Sequence, residues 1–332
     1  MARLRWIGVL FVIFSHAAIA QADSVDSSLK ALDGKAALVP FENAPFPYRG
    51  MIPGDETHDD APFLDAKDGA RRGHTTPRAG VYWEDQTYSD ARSLLYIPQG
   101  FDTRRKGAIV VFLHGNQATL VRDVIDRQRV PQQLATSNLN AVLVAPQLAV
   151  DALDSSAGGF WQPGAFARYL READSRLAQL ADGEMSAQDF ARMPVILVAY
   201  SGGYLPAAWS LELGEANRRI AGVALLDALY GETEKFSSWI EDHEAGAFFF
   251  SAFTPSSAAG NGDLQDQLMQ QGIDFTLDLP PCLEAGDIVF LDAGPDVVHN
   301  DFVSQAWTGD PLKSLFNRLR GFPRDTTKAC TP

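Results

Sequence analysis

Cysteine is nearly absent from this chain, with only Cys282 and Cys330 among 332 residues. That excludes a disulfide-dense scaffold and leaves no Cys-x-x-Cys pair for zinc or redox work. There is also no His-Glu-x-x-His and no phosphate-cradling loop, and Gly260-Asn261-Gly262 lacks the spacing of a nucleotide fingerprint. No metal or organic cofactor is implied. Positive charge is the scarcer sign, with 28 basic against 42 acidic residues and a formal net charge of -14 at pH 7, so nucleic acid is not an expected partner. No Asn-x-Ser/Thr acceptor occurs, which favours a bacterial periplasmic or secreted setting over a eukaryotic secretory one. Internal repeats and low-complexity tracts are lacking too.

What is present begins with Arg3 and Arg5, an apolar run from Trp6 to Phe14, and the small-residue stretch Ala18-Ile19-Ala20-Gln21-Ala22. This is the pattern of a secretory signal cleaved after Ala20 or Ala22, and the run is short for a bilayer span. Residues 1–22 are therefore read as a signal peptide, and the mature chain as exported, periplasmic or secreted, without a stable membrane anchor. Its removal makes the chain two charges more negative. Export puts Cys282 and Cys330 where a disulfide persists, and the two are expected to pair.

With 46% hydrophobic residues the chain can bury a large core. Residues 23–78 are rich in Pro, Gly and Asp and hold no sustained period, so they read as an extended arm. Phe41, Phe46, Tyr48, Met51 and Phe63 are apolar enough to dock it over the remainder. His58-Asp59-Asp60 lacks further ligands at defined spacing and reads as a solvated loop.

Strands are expected at Gly80–Trp83, Ser93–Ile97, Ala108–Leu113, Ala141–Ala145, Val195–Ala199, Ile220–Leu226, Ala247–Ser251 and Ile288–Leu291. Most are continuous apolar runs, which suit strands buried on both faces, and helical spacing lies between them, as in Phe166, Tyr169, Leu170, Leu177 and Leu180. A last helix carries Leu312, Leu315, Phe316 and Leu319 on one face, with Pro311 near its start and Gly321 and Pro323 beyond its end. The pattern predicts one α/β domain over residues 79–332, a mostly parallel sheet with helices on both faces, and cap-like insertions at 151–164 and 231–281.

The apolar run Val195–Tyr200 ends abruptly in Ser201-Gly202-Gly203. A serine on a sharp strand-to-helix turn is held clear of its own backbone, small neighbours let the turn close, and the Gly202 amide is placed to donate to an oxyanion. Such a serine needs a base, an orienting acid and a second donor, and loops beyond the C-terminal ends of parallel strands gather at one edge. His299, after the last strand, is the expected base; His243, on a polar surface stretch, and His114 are the rivals. Asp227 ends an apolar strand and so needs a strong partner, which makes it the expected acid, with Asp263 and Asp296 as alternatives. In His114-Gly115-Asn116-Gln117, the backbone of Asn116 or Gln117 would supply the second donor.

From about Val81 to Leu319 the chain resembles the α/β-hydrolase family: the His-Gly loop after an early strand, the elbow Ala199-Tyr200-Ser201-Gly202-Gly203, and the order Ser201, Asp227, His299. The resemblance implies an eight-stranded, mostly parallel sheet and hydrolysis through an acyl-enzyme. Ala199 stands where glycine is usual, and Asp227 follows the sixth strand, whereas the family's acid more often follows the seventh. An ester of a small-molecule or polymeric acyl substrate is the default, with Phe160, Trp161, Tyr200, Tyr204 and Tyr230 as pocket-lining candidates. A peptidase or amidase using the same residues, or a binding protein of this fold that has lost catalysis, are the alternatives.

Overall fold

The computed structural model describes residues 25–54, 57–243, 245–328 and 330; the signal segment read at 1–22 lies outside them. Eight strands form the main sheet: β1 (Gly34–Pro40), β2 (Arg92–Pro98), β3 (Ala108–Leu113), β4 (Ala141–Pro146), β5 (Val195–Tyr200), β6 (Ile220–Leu226), β7 (Phe248–Phe253) and β8 (Ile288–Asp292). Their spatial order is β1-β2-β4-β3-β5-β6-β7-β8. Strands β4, β3, β5, β6, β7 and β8 run parallel, while β2 is antiparallel to both of its neighbours, β1 and β4. This is the α/β-hydrolase fold.

Strands β3, β4 and β5 are buried at every residue. Alternate side chains serve opposite faces, as the two-residue strand period requires. Ile109, Val111 and Leu113 join one core with Leu197 and Ala199, whereas Val110, Phe112, Ile196 and Val198 join the other. The α-helices that cover these faces include α1 (Val130–Thr136), α2 (Ala165–Ala181), α3 (Tyr204–Glu212), α4 (Thr233–His243), α5 (Ala258–Gln271) and α6 (Pro311–Arg318). Helices α2 to α5 pack on the first face through residues such as Tyr169, Leu211, Phe236 and Leu264; α1 and α6 pack on the second through Leu134, Leu312 and Phe316. Pro311 stands at the start of α6, where its missing N–H costs nothing.

Two placements differ from the sequence reading. Gly34–Pro40, inside the stretch read as an arm, is the edge strand of the main sheet, half-buried and therefore without a continuous apolar run. Gly80–Trp83 instead belongs to a small antiparallel sheet with Ala66–Asp68 and Arg71–Thr76. The remainder of the early segment docks on the first core through a cluster of rings, in which Phe63 touches Phe46, Tyr48, His74, Tyr88 and Trp161. Of the two segments read as cap-like, 231–281 carries α4, β7 and α5, which are framework because β7 pairs with β6 and β8. The other, 151–164, runs beneath the early segment, where the Gly159 amide donates to the Pro45 carbonyl at 2.7 Å. Cys282 and Cys330 form a disulfide with a Cα separation of 5.5 Å.

Candidate active site

Ser201 follows β5 directly and takes φ 52°, in the left-handed region that costs a non-glycine residue roughly 1–3 kcal/mol. The turn closes because its neighbours are small. A Cβ on Gly203 would collide with the Leu113 carbonyl, and one on Gly202 with the Asn116 side-chain amide. A Cβ on Gly115 would lie 2.7 Å from Ser201 Cβ and 3.2 Å from its Oγ. The loop after β3 thus rests against the serine, and glycine is what permits the approach.

His299 opens a short 3-10 turn in the loop after β8. Its Nε2 lies 2.7 Å from Ser201 Oγ, and its Nδ1 lies 2.6 Å from Asp227 Oδ2. The loop is pinned from below: Tyr200 Oη donates to the His299 carbonyl at 2.7 Å, and Arg127 Nη1 donates to the Asn300 carbonyl at 2.9 Å. The Tyr200 and His299 rings stack with centroids 5.3 Å apart.

Asp227 follows β6, is fully buried, and takes φ 44°. Five donors converge on its carboxylate. Oδ1 accepts from the Thr254 amide at 3.0 Å and Ser257 Oγ at 2.5 Å. Oδ2 accepts from His299, from Thr254 Oγ1 at 2.9 Å and from Ser256 Oγ at 2.9 Å. Burial alone would push this carboxyl up, but the bonds from His299, Ser257 and Thr254 outweigh it and hold the group at about 2. A buried carboxylate so held stays ionised and faces the imidazole as a permanent anion. The loop after β7, Thr254-Pro255-Ser256-Ser257, supplies no acid of its own; its hydroxyls grip the acid that β6 supplies.

The rival residues are engaged elsewhere. His114 is buried, which lowers its pKa. Its Nε2 accepts from the Leu148 amide at 2.9 Å and its Nδ1 donates to the Gly115 carbonyl at 2.8 Å, so it braces the loop that carries Asn116. His243 stacks on Trp239 within α4. Asp263 and Asp296 are exposed.

Of the candidate oxyanion donors, the Gln117 amide is already given to the Ala152 carbonyl at 2.8 Å. Among the described residues the Asn116 amide has no backbone acceptor, and Gly202 lies in the first turn after the elbow, where N–H groups lack intrahelical partners. Tyr200, Tyr204 and Tyr230 surround the serine and histidine. Tyr230 Oη sits 3.2 Å from His299 Nδ1 and 2.9 Å from Ser256 Oγ, and its ring is 6.0 Å from that of Tyr204. Phe160 and Trp161 do not join them. Phe160 is fully buried against Phe166 and Tyr169, and Trp161 packs on Tyr48 and Phe63, because the segment that carries them is covered by the early residues.

The side chains of Thr254, Ser256, Ser257 and Asn116 were not legible as site residues from sequence. Three hydroxyls within four residues at a strand end were the available signal. Among the described residues there is no cluster of three or more His, Cys, Asp or Glu that could hold a metal ion, and no helix is long and apolar enough to cross a membrane.

No protein-family model matches the chain, and no curated protein matches it in sequence. Solved structures resemble it at low identity. A feruloyl esterase module from Clostridium thermocellum, complexed with sinapinate, is 15% identical over 84% of this chain and 91% of that one, with a TM-score of 0.45. An S-formylglutathione hydrolase from Agrobacterium tumefaciens is 13% identical over 77% and 99%, with a TM-score of 0.42. A ferulic acid esterase from Anaeromyces mucronatus, in complex with ferulic acid, is 13% identical over 88% and 99%, with a TM-score of 0.38.

Proposed function

We propose that this chain is an exported serine hydrolase that cleaves carboxylic esters through an acyl-enzyme. The observation that carries this reading is the continuous hydrogen-bonded chain from Ser201 Oγ through the His299 ring to the buried Asp227 carboxylate, at 2.7 and 2.6 Å. In this reading Ser201 Oγ attacks the acyl carbon while His299 Nε2 takes its proton, and Asp227 keeps the Nδ1–H tautomer and offsets the imidazolium charge. The Gly202 and Asn116 amides receive the developing oxyanion. The intermediate collapses as His299 returns the proton to the leaving alkoxide, and the alcohol departs. Water then attacks the acyl-serine with the same proton path, releasing the acid and restoring Ser201.

Export rests on the signal-like residues 1–22, and the Cys282–Cys330 disulfide supports a compartment where such bonds persist. The test is labelling of the mature protein by a fluorophosphonate, with Ser201→Ala and His299→Ala alongside and the modified peptide mapped. Labelling at Ser201 that disappears in both variants is expected. A folded wild-type protein that stays unlabelled overturns the reading and favours a binding protein. Matched ester and anilide substrates then separate esterase from amidase.

A further inference from the structure

The early segment delivers one charged side chain to the edge of this site. Arg71–Thr76 and Gly80–Trp83 form an antiparallel hairpin whose three-residue loop, 77–79, closes between Thr76 and Gly80. Gly80, the strand residue that closes the loop, takes φ 77°, in the left-handed region that glycine enters without strain. The hairpin is tied down near its tip, because the Leu153 amide donates to Tyr82 Oη at 3.1 Å. Arg78 stands at the middle of the loop.

With the Asn116 amide oriented by its hydrogen-bond partners, its nitrogen donates to the Asp154 carbonyl at 2.8 Å and its oxygen accepts from Arg78 Nη2 at 2.7 Å. This same amide blocks any side chain at Gly202, the residue after the serine. The guanidinium therefore lies one side chain away from the candidate oxyanion donors. Its charge is felt on the other side of the site as well. Burial and the Glu232 charge raise the Tyr204 phenol, and burial raises Tyr230 to about 12; Arg78 opposes both shifts.

Among the described residues Arg78 makes no ion pair, and only one of its donors is engaged, by a neutral amide. The nearby Arg127, by contrast, is paired with Asp123 at 2.9 Å. An unpaired guanidinium held at a catalytic mouth, on a chain of net charge -14, has its remaining donors directed at no other described residue. Of the other charges at the site, Glu232 acts on Tyr204 but is paired with Lys235 at 2.8 Å, and Tyr200 feels Asp301 and the paired Arg127 together.

We infer that Arg78 selects substrates bearing a carboxylate, through a charge-assisted hydrogen bond to the guanidinium beside Asn116, so that the preferred ester is an anionic one. This rests on the hydrolase reading above and names the substrate class for that site. Arg78 is a specificity residue and takes no part in proton transfer.

Three esters test it: 4-nitrophenyl butyrate, which is neutral; mono-4-nitrophenyl glutarate, with the carboxylate on the acyl side; and 4-butyryloxybenzoate, with the carboxylate on the leaving side. The ratio of kcat/KM for an anionic ester over the neutral one is expected to fall about 10- to 100-fold in Arg78→Gln, and Arg78→Lys is expected to restore part of it. The wild-type preference is expected to weaken as salt is added, a response that a purely structural arginine would not give. Which anionic ester responds identifies the side of the scissile bond that Arg78 reads.

Calorimetric binding of 4-butyryloxybenzoate and its neutral methyl ester to Ser201→Ala, with and without Arg78→Gln, supplies a readout free of turnover. If wild type hydrolyses these esters but Arg78→Gln shifts neither ratio, the inference is overturned and the hydrolase reading stands. If no ester is turned over yet the carboxylate binds in an Arg78-dependent way, the hydrolase reading falls and the anion site stands. Absence of both overturns both.

Discussion

Replacing Asp227 by asparagine keeps the shape of the side chain and changes one acceptor into a donor, and the surrounding bonds decide the outcome. The two oxygens face different partners: Oδ1 faces the Thr254 amide and Ser257 Oγ, while Oδ2 faces His299 and two hydroxyls. Hydroxyls can rotate to accept, but a backbone N–H cannot. An asparagine NH2 turned toward the Thr254 amide would leave a buried donor unpaired, at a cost of roughly 1–3 kcal/mol. The other orientation is cheaper for the fold, because Thr254 Oγ1 and Ser256 Oγ can accept. It presents N–H to His299 Nδ1, however, and forces the tautomer with the proton on Nε2, which is already opposite Ser201 Oγ. The base is then protonated where it must accept. We expect Asp227→Asn to lower kcat on 4-nitrophenyl butyrate by about 10³- to 10⁴-fold in a variant that still folds. The same bonds set the sign of its pH effect. Asp227 is held at about 2, below the ordinary 3.8, so its contribution to stability, roughly 2 kcal/mol, is fully present above the ordinary value and is lost as pH falls through about 2. The asparagine variant lacks that contribution, and its acid unfolding curve should be correspondingly flatter. Activity within tenfold of wild type in a folded variant would refute the assignment of Asp227.

Gly202→Ala tests the contact between the elbow and the loop after β3: the new methyl collides with the Asn116 side-chain amide and lies 2.7 Å from Ser155 Oγ, so the Asn116 side chain must move and the loop that carries it is disturbed. A loss of kcat of about 10²- to 10³-fold is expected, with a stability cost of about 1–3 kcal/mol by thermal melting; kinetics within threefold of wild type would contradict the placement of that donor. Replacing both Cys282 and Cys330 by serine opens a 48-residue separation, for which chain entropy gives about 4 kcal/mol. Denaturant midpoints of this variant should fall to those of the reduced wild type, and an unchanged midpoint would show that the tail needs no covalent tie.

The parts of this molecule that could be read from its sequence are those whose signal is local. A buried strand ending in Ser-Gly-Gly announces itself within nine residues, and Asp227 stands out because a carboxylate directly after Ile220–Leu226 cannot be left without partners. His299 is weaker, since nothing local separates it from His114; the difference emerges only when the Leu148 amide is seen to occupy His114 Nε2. The cradle of Asp227 was not legible at all. Thr254, Ser256 and Ser257 have no periodicity, and they acquire a role only because β7 lies beside β6 with Leu226 opposite Ala252, which brings the two loops together. Strand β1 was missed because a half-buried edge strand carries no continuous apolar run, and Phe160 and Trp161 were misplaced because aromatic residues look alike in a pocket and in a core.

Arg78 is the extreme case. An exposed arginine in a proline-containing loop carries no sequence signal, and the hairpin that presents it is held by contacts to residues 153 and 116. The serine, histidine and acid come from the ends of sheet strands, where the fold confines the choices, whereas a substrate-selecting side chain can arrive from any segment that packs over the sheet's edge. The chemistry of such a protein is therefore legible earlier than its specificity, and the early segment, which contributes nothing to the proton path, is where the search for substrate recognition belongs.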